Sequence, residues 1–494
     1  MPVAQALAIK NGRIVEVGGS DEILWLREAE YEVIDLDGLT ITPGFVDPHN
    51  HFSIGAFETL WADCRGARDI ESIQSAMGKA AREAPPSLWV RGFGYDHVHL
   101  PGRRHPTRHD LDAAVPERPA LLMHFSHHQA VANSRALADA GISRGTPDPP
   151  GGEIARNRAG EPTGLLFERA MSLVEQRSRD GWQDTFVDVA RAASARYAAL
   201  GITSIQDAAV SPAMSRHYAR AREAGALAIG VSEIMVGSRG WFDRPHDAST
   251  AGPLKIFVDG GYRCALRLAR EGRVETTGFL FYERDELSAL LLDTWRSGRS
   301  CVCHAIGNAG VDTAVGAIED ALGREPGGRG RVRVDHAMFL TDELIARLAD
   351  LQIWVVAQPS FLYDSGGTSP SPAIRLRPFA TAARAGVRQA FSSDFPCGSN
   401  APLLGISAAV TRRSRQGGIF DGDEAMSASA ALQAYTIDAA RAAGMERERG
   451  SLEAGKRADV VVLSGNPVEC RTEEIASIRV LQTWASGVKV FNRP

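Results

Sequence analysis

The chain lacks any apolar run long enough to cross a bilayer, which removes membrane-spanning readings from consideration. Cysteine is scarce: six in 494 residues, at positions 64, 264, 301, 303, 397 and 470, with irregular spacing. They form neither a disulfide framework nor a CxxC zinc site. Massed charge is missing too. The net charge is only −5, and Arg and Lys are interspersed with acids, so no nucleic-acid footprint is visible and the expected partners are small molecules. The opening MPVAQALAIKNGR has no basic region followed by an apolar core and a small-residue cleavage site, so the expectation is a cytoplasmic enzyme.

What is present is an ordinary globular composition, 44% hydrophobic and 23% charged, in a length that fits a large α/β barrel with a smaller appended unit. The first forty residues read as short strands with polar turns, ALAIKNGRIVEVGG and then YEVIDLDGLTITPGF. GSLEAGKRADVVVLSGNP and SIRVLQTWASGVKVFN, near the other end, have the same texture. A small β-sandwich built from both termini, residues 1–42 and 446–494, accounts for that likeness.

Between them, over 43–445, strands alternate with amphipathic helices, the signal of a parallel sheet with crossover helices. Eight candidate strands stand out: GFVDPHNH, GITSIQDA (201–208), AIGVSEIMV (228–236), PLKIFVDGG (253–261), SCVCHAIG (300–307), RVRVDHA (331–337), IWVVAQPS (353–360) and RQAFSSDFP (388–396). Eight closes a (β/α)8 barrel of the TIM-like type. FVDVARAASARYAAL, DELSALLLDTWRSG and TDELIARLADL carry helical periodicity. Residues 56–183 break the rhythm with Pro, Gly and His, and read as an insertion that shapes the pocket mouth.

In such a barrel the chemistry lies at the C-terminal ends of the strands. There the first strand offers His49 and His51, the fourth Lys255, the fifth His304, the sixth His336 and the eighth Asp394. A lone strand histidine is more often a satisfied core residue than a ligand, but convergence of these six defines a metal site. Residues two apart on an extended strand face one way, so His49 and His51 aim at one volume. By the same alternation His304 turns inward and Cys301 and Cys303 turn toward the helices. His336 shares a face with Val332 and Val334, leaving Arg333 and Asp335 to pair outside the barrel.

Lys255, Phe257 and Asp259 share one strand face, opposite an apolar one, so the lysine points inward. Burial favours its neutral, nucleophilic form, which can add CO2 to give a carbamate able to bridge two metals; the plain alternative is a Lys255–Asp259 ion pair. A carboxylate at Asp394 can hold metal and take a proton from a metal-activated water, the alternative being a helix N-cap. A second HxH, His97 and His99 with His105 and His109 nearby, has no apolar strand leading into it and reads as a solvent-facing loop. His127 and His128 follow the strand-like RPALLM, and His128 is expected to reach the substrate.

These phrases resemble the amidohydrolase superfamily, and within it the amidohydrolase family 3 branch of N-substituted formamide deformylase and YtcJ-like proteins. PGFVDPHNH is similar to the family's HxH signature, LKIFVDGG to its carboxylated-lysine segment, and HAIGN, VDHA and SSDFP to the segments that bear the remaining ligands. RGFGYDH, HHQAVANSRAL, GEPTGLLFE, GITSIQDA and the closing AYTIDAARAAGMERERGSLEAGKRADVVVLSGNP resemble phrases recurrent in the branch. Asn308 stands where the family usually has Asp. The resemblance implies a hydrolase of non-peptide C–N bonds, most readily of an N-substituted amide, by attack of metal-bound hydroxide. It implies one or two divalent ions, zinc foremost, on His49, His51, Lys255 as carbamate, His304, His336 and Asp394. Phe361, Tyr363 and Trp61 are expected to wall an apolar pocket. A homodimer is compatible with the branch. The alternatives are a deaminase or cyclic-imide hydrolase of the same superfamily, or a barrel without catalytic function.

Overall fold

Eight short parallel strands, each hydrogen-bonded to the next in chain order, form the centre of the molecule. They are β1 (Phe45–Asn50), β2 (Ile202–Val210), β3 (Gly230–Val236), β4 (Leu254–Phe257), β5 (Cys301–Ala305), β6 (Val332–His336), β7 (Trp354–Ala357) and β8 (Arg388–Phe391). The architecture is that of a computed structural model, which describes residues 4–25, 32–237, 252–261, 263–270 and 273–493. Two backbone bonds beyond the strand ends close the sheet: Asp394 N–H donates to His49 O at 2.9 Å, and His51 N–H to Phe395 O at 2.8 Å. The expected (β/α)8 barrel is therefore present, and its seam lies among the candidate ligands.

Helices form where the sequence shows a 3.6-residue period, at Phe186–Ala199, Arg284–Arg296 and Asp342–Leu351. The last is capped by Thr341, whose side chain accepts from Leu344 N–H. Against such helices β4, β5 and β6 press Leu254, Ile256, Cys301, Cys303, Val332 and Val334, meeting Leu287, Leu291, Val315, Leu344 and Leu348. Each fully buried aliphatic side chain there contributes about 1.5–3 kcal/mol. Strand alternation sends the neighbouring residues inward, where Val302 packs with Ala208 and Ile234.

That alternation overturns one expectation. Arg333 and Asp335 do pair, with Arg333 Nε donating to Asp335 Oδ1 at 2.8 Å, but they do so inside the barrel, both buried. The reason lies at the next residue. His336 has φ +78° and Ala337 φ +45°, so the chain swings over at the end of β6 and brings His336 back to the side its strand neighbour already faces.

The segment after β1 is more ordered than its composition implies. It holds a six-stranded mixed sheet whose central members are Val90–Tyr95, Ala120–His124 and Gln129–Ala132. These three are buried on both faces, so they lack the two-residue alternation that marks a half-exposed strand. Ile73, Met77, Leu111, Leu122 and Val131 give it a core of its own.

Strands Thr40–Pro43, Val460–Leu463, Val480–Ala485 and Val488–Asn492 make a four-stranded antiparallel sheet from both ends of the chain. An N-terminal hairpin, Ala6–Lys10 with Arg13–Gly18, turns at Asn11 and Gly12, both at positive φ as a type I′ turn requires. Tyr31, the start of the expected second β piece, lies outside the described residues, and 32–39 carry no strand. Among the described residues no helix is long and apolar enough to cross a membrane.

Candidate metal centre

The first two histidines owe their position to β1 and the turn that follows it. His49 Nδ1 lies 2.5 Å from Asp335 Oδ2, and its Nε2 lies 3.1 Å from Asp394 Oδ1. His51 donates Nδ1–H to the Ala208 carbonyl at 3.0 Å and turns Nε2 to the same Asp394 oxygen, 3.1 Å away. His336 donates Nδ1–H to Gln358 Oε1 at 2.9 Å; Gln358 is fixed in turn by its amide donating to Val356 O and Ser392 Oγ, each at 3.0 Å. In these histidines the nitrogen away from the centre is tied to a carboxylate, carbonyl or amide oxygen, which selects the tautomer whose other nitrogen offers a lone pair inward.

His304, on β5, lies beside His336 with ring centroids 4.4 Å apart. Its Nε2, the Nε2 of His336 and Asp394 Oδ1 are buried without a hydrogen-bond partner among the described residues. Buried polar atoms rarely go unsatisfied, so these mark a place for a ligand. Ligand atoms of His49, His336 and Asp394 all lie within 4.8 Å of one another. Lys255 is fully buried, its Nζ 3.3 Å from His49 Nε2 and 3.4 Å from Asp335 Oδ2.

The protonation states suit a cation. Burial pushes His336 down to about 3 and holds His304 well below, and His51 below, the ordinary imidazole range, so all three are neutral at pH 7. Burial also lowers Lys255. It works the other way on carboxylates, but at Asp394 the neighbouring His49, His51 and His336 outweigh it and hold the carboxyl well below its usual range. At Asp335 the same opposition is overcome by Arg333, His49 and Lys255. At His49 burial and Lys255 lower the value, but Asp335 and Asp394 prevail and raise it. Three imidazoles tied through Nδ1, a fourth beside them and an ionised carboxylate form a donor set that fits a divalent ion.

The plain alternatives fall away. Asp259 does not pair with Lys255; its oxygens accept backbone N–H groups of Ala265, Ile306 and Gly307 at 2.8–3.1 Å. Asp394 caps no helix, since the next one begins at Pro402 behind Ala401. Asn308 faces away from the centre and brackets Arg267, accepting its N–H and donating to its O. Trp61 is a correction: it stacks on Phe57 beneath the Arg91 guanidinium in the core rather than walling a pocket.

His128 reaches the rim of the centre, its ring 5.6 Å from that of His304 and its Nδ1 2.7 Å from Glu168 Oε2. Its neighbour His127, at φ +56°, turns away to Glu58 at 2.9 Å. Phe361 follows Gln358 on the helix Pro359–Ser365, and Tyr363 of the same helix lies under the Arg415 guanidinium. Sequence reasoning missed Asp335, Gln358, Glu58 and Glu168. The last ends the phrase GEPTGLLFE and carries φ +48°, a backbone feature that leaves no trace in composition.

A parallel barrel with an inward-facing set of histidines, lysine and aspartate at its strand ends is the framework of a metal-dependent hydrolase. Comparison with known proteins sharpens this: residues 32–491 match the model of the Amidohydrolase family, Amidohydro_3, and the chain belongs to that family. It is 33% identical to the N-substituted formamide deformylase of Arthrobacter pascens, over 99% of this chain and 95% of that one. It is 30% identical to the putative amidohydrolase YtcJ of Bacillus subtilis, over 99% and 96%. Among solved structures an uncharacterized metal-dependent hydrolase of Pyrococcus furiosus superposes with a TM-score of 0.71 at 25% identity, covering 94% of this chain and 95% of the other. The protein is a hydrolase of carbon–nitrogen bonds other than peptide bonds.

Proposed function

We propose that the protein hydrolyses an N-substituted amide, with a formyl or other small acyl group on the nitrogen, at a centre formed by His49, His51, Lys255, His304, His336 and Asp394. The observation that carries this reading is the cluster of ligand atoms on His49, His336 and Asp394, with the buried, unpartnered Nε2 of His304 beside His336 and His51 Nε2 facing Asp394. The similarity to the Arthrobacter deformylase supports the substrate class. Zinc is the ion of choice for a donor set of imidazole and carboxylate. Lys255, buried and shifted toward its neutral form, would carry a carbamate and so supply the further anionic oxygen that a second ion requires.

A divalent ion there supplies two things when bound: polarisation of the amide carbonyl and a water made nucleophilic near neutral pH. The chain does the rest. Asp394, whose Oδ1 is faced by His49 Nε2 and His51 Nε2 at 3.1 Å, accepts the proton of the attacking water and returns it to the leaving nitrogen. Asp335 and Gln358 fix the tautomers of His49 and His336. His128, at the rim beside His304, and Phe361 border the substrate, the first with a polar edge and the second with an apolar face. The four-stranded sheet of Thr40–Pro43, Val460–Leu463, Val480–Ala485 and Val488–Asn492 supports the barrel from outside the site.

The test is metal content by elemental analysis, paired with hydrolysis of a panel of N-alkyl formamides, acetamides and a cyclic imide. Wild type is expected to hold one or two ions and to cleave formamides, and Lys255→Ala to lose metal and activity. Active wild-type protein free of metal would overturn the mechanism, and preference for the cyclic imide would overturn the substrate class.

A further inference from the structure

The inserted sheet repeats the logic of the barrel on a smaller scale. Val90–Tyr95 and Ala120–His124 are adjacent parallel strands, and after a one-residue register shift Tyr95 pairs with His124. Their C-terminal ends therefore deliver side chains to one place, as barrel strands do. Beyond the first, Asp96 leads into a single 3-10 turn, His97–His99. The sequence alone reads this turn as a solvent-facing loop; Val98 and His99 meet that description, and His97 does not.

The other side chains converge. His97 Nδ1 lies 3.3 Å from His124 Nε2, and Asp96 Oδ1 lies 3.9 Å from the first and 3.8 Å from the second. A tetrahedral zinc ion with bonds of about 2.0–2.1 Å keeps its ligand atoms about 3.3 Å apart, so this triangle needs only a slight contraction to close on one. His124 is fully buried and its Nδ1 lies 2.8 Å from Ser126 Oγ, which fixes the ring so that Nε2 faces the triangle. His105 stacks on His97 with centroids 3.8 Å apart and meets Tyr95 OH through Nδ1 at 3.0 Å, limiting the rotation of His97. Asp96 is steadied by Val98 N–H at 3.0 Å.

We propose that Asp96, His97 and His124 form a second cation site, separate from the barrel centre, for a divalent transition ion of the zinc class, with a fourth position open to water. The site is joined to the catalytic rim by Ser126, whose carbonyl accepts from Cys397 Sγ at 3.4 Å, three residues past Asp394. An ion here would clamp the ends of two inserted strands above the pocket mouth, just before His127 and His128.

The test uses the full chain dialysed against zinc alone. His97→Ala and Asp96→Asn should each bind one zinc fewer per chain than wild type. Asp394→Asn, a change in the barrel centre, should retain the zinc that those two lose. Wild-type crystals grown with zinc should give an anomalous peak between His97 Nδ1 and His124 Nε2 at the zinc edge, a readout that does not depend on any variant folding. Unchanged zinc content in folded His97→Ala and Asp96→Asn, or crystals without that peak, would overturn the assignment. Loss of the barrel ions with this one intact would instead count against the hydrolase centre alone.

Discussion

Replacing Asp335 by Asn tests the reversal of β6 at its root. The wild-type carboxylate touches three groups: His49 Nδ1 at 2.5 Å, Arg333 Nε at 2.8 Å and Lys255 Nζ at 3.4 Å. All four side chains are buried. The substitution keeps the shape but removes the charge that offsets the buried Arg333 guanidinium, and breaking such a buried pair costs about 3–5 kcal/mol. It also turns an amide N–H toward His49 Nδ1, favouring the tautomer whose Nε2 carries a proton and offers no lone pair. Loss of a partner that orients a ligating histidine typically lowers metal affinity about 10–100-fold, or roughly 1.4–2.7 kcal/mol. Urea unfolding of metal-stripped protein reads the first effect, and zinc competition with a chromophoric chelator reads the second. The pH dependence has a definite sign. Because the folded carboxyl is held below its unfolded value, its contribution is complete above about pH 3.9 and fades below it by about 1.4 kcal/mol per pH unit, narrowing the gap between wild type and variant in acid. Wild-type stability and zinc affinity in Asp335→Asn would refute the reasoning and place the pair outside the barrel.

Gln358→Leu frees His336 from its acceptor, so zinc affinity should fall about tenfold while the barrel still folds, read by the same chelator competition. Gly307→Ala would set a Cβ 2.1 Å from the Ala265 carbonyl oxygen, a backbone atom that cannot yield cheaply; unfolding in urea should register a loss of about 1–3 kcal/mol or more. Leu348→Ala opens a cavity in the fully buried layer between helices and β-strands and should cost about 2–5 kcal/mol in the same assay. Labelling of the native protein with a thiol reagent, located by mass spectrometry, should favour Cys470 over Cys397, whose thiol burial holds well above its usual range, and spare the four buried thiols; labelling of Cys301 or Cys303 at equal rate would contradict their burial against the helices.

The local features of the chain carried a good deal. Eight apolar runs separated by helical periodicity encode a parallel barrel, because crossover helices and doubly covered strands impose those patterns wherever they occur. The placement of His49, His51, His304, His336 and Asp394 at or just past strand ends was legible for the same reason, as was the outward turn of Cys301 and Cys303; Lys255 sits near the start of its short strand. Alternation is a nearest-neighbour property, however, and it fails where the backbone leaves the strand. At His336 a left-handed φ, held by contacts such as that to Gln358 22 residues away, decides which neighbours face the centre. Asp335 meets His49 across 286 residues, and no local pattern records such a contact. The inserted sheet hid itself for the converse reason: strands buried on both faces lose their period, and His97 and His124 become neighbours only when two of those strands align. The sequence by itself determined the repeating architecture and the supply of donor atoms; the tertiary structure decided which carboxylate serves which imidazole, because that depends on through-space distances of a few ångströms between residues far apart along the chain.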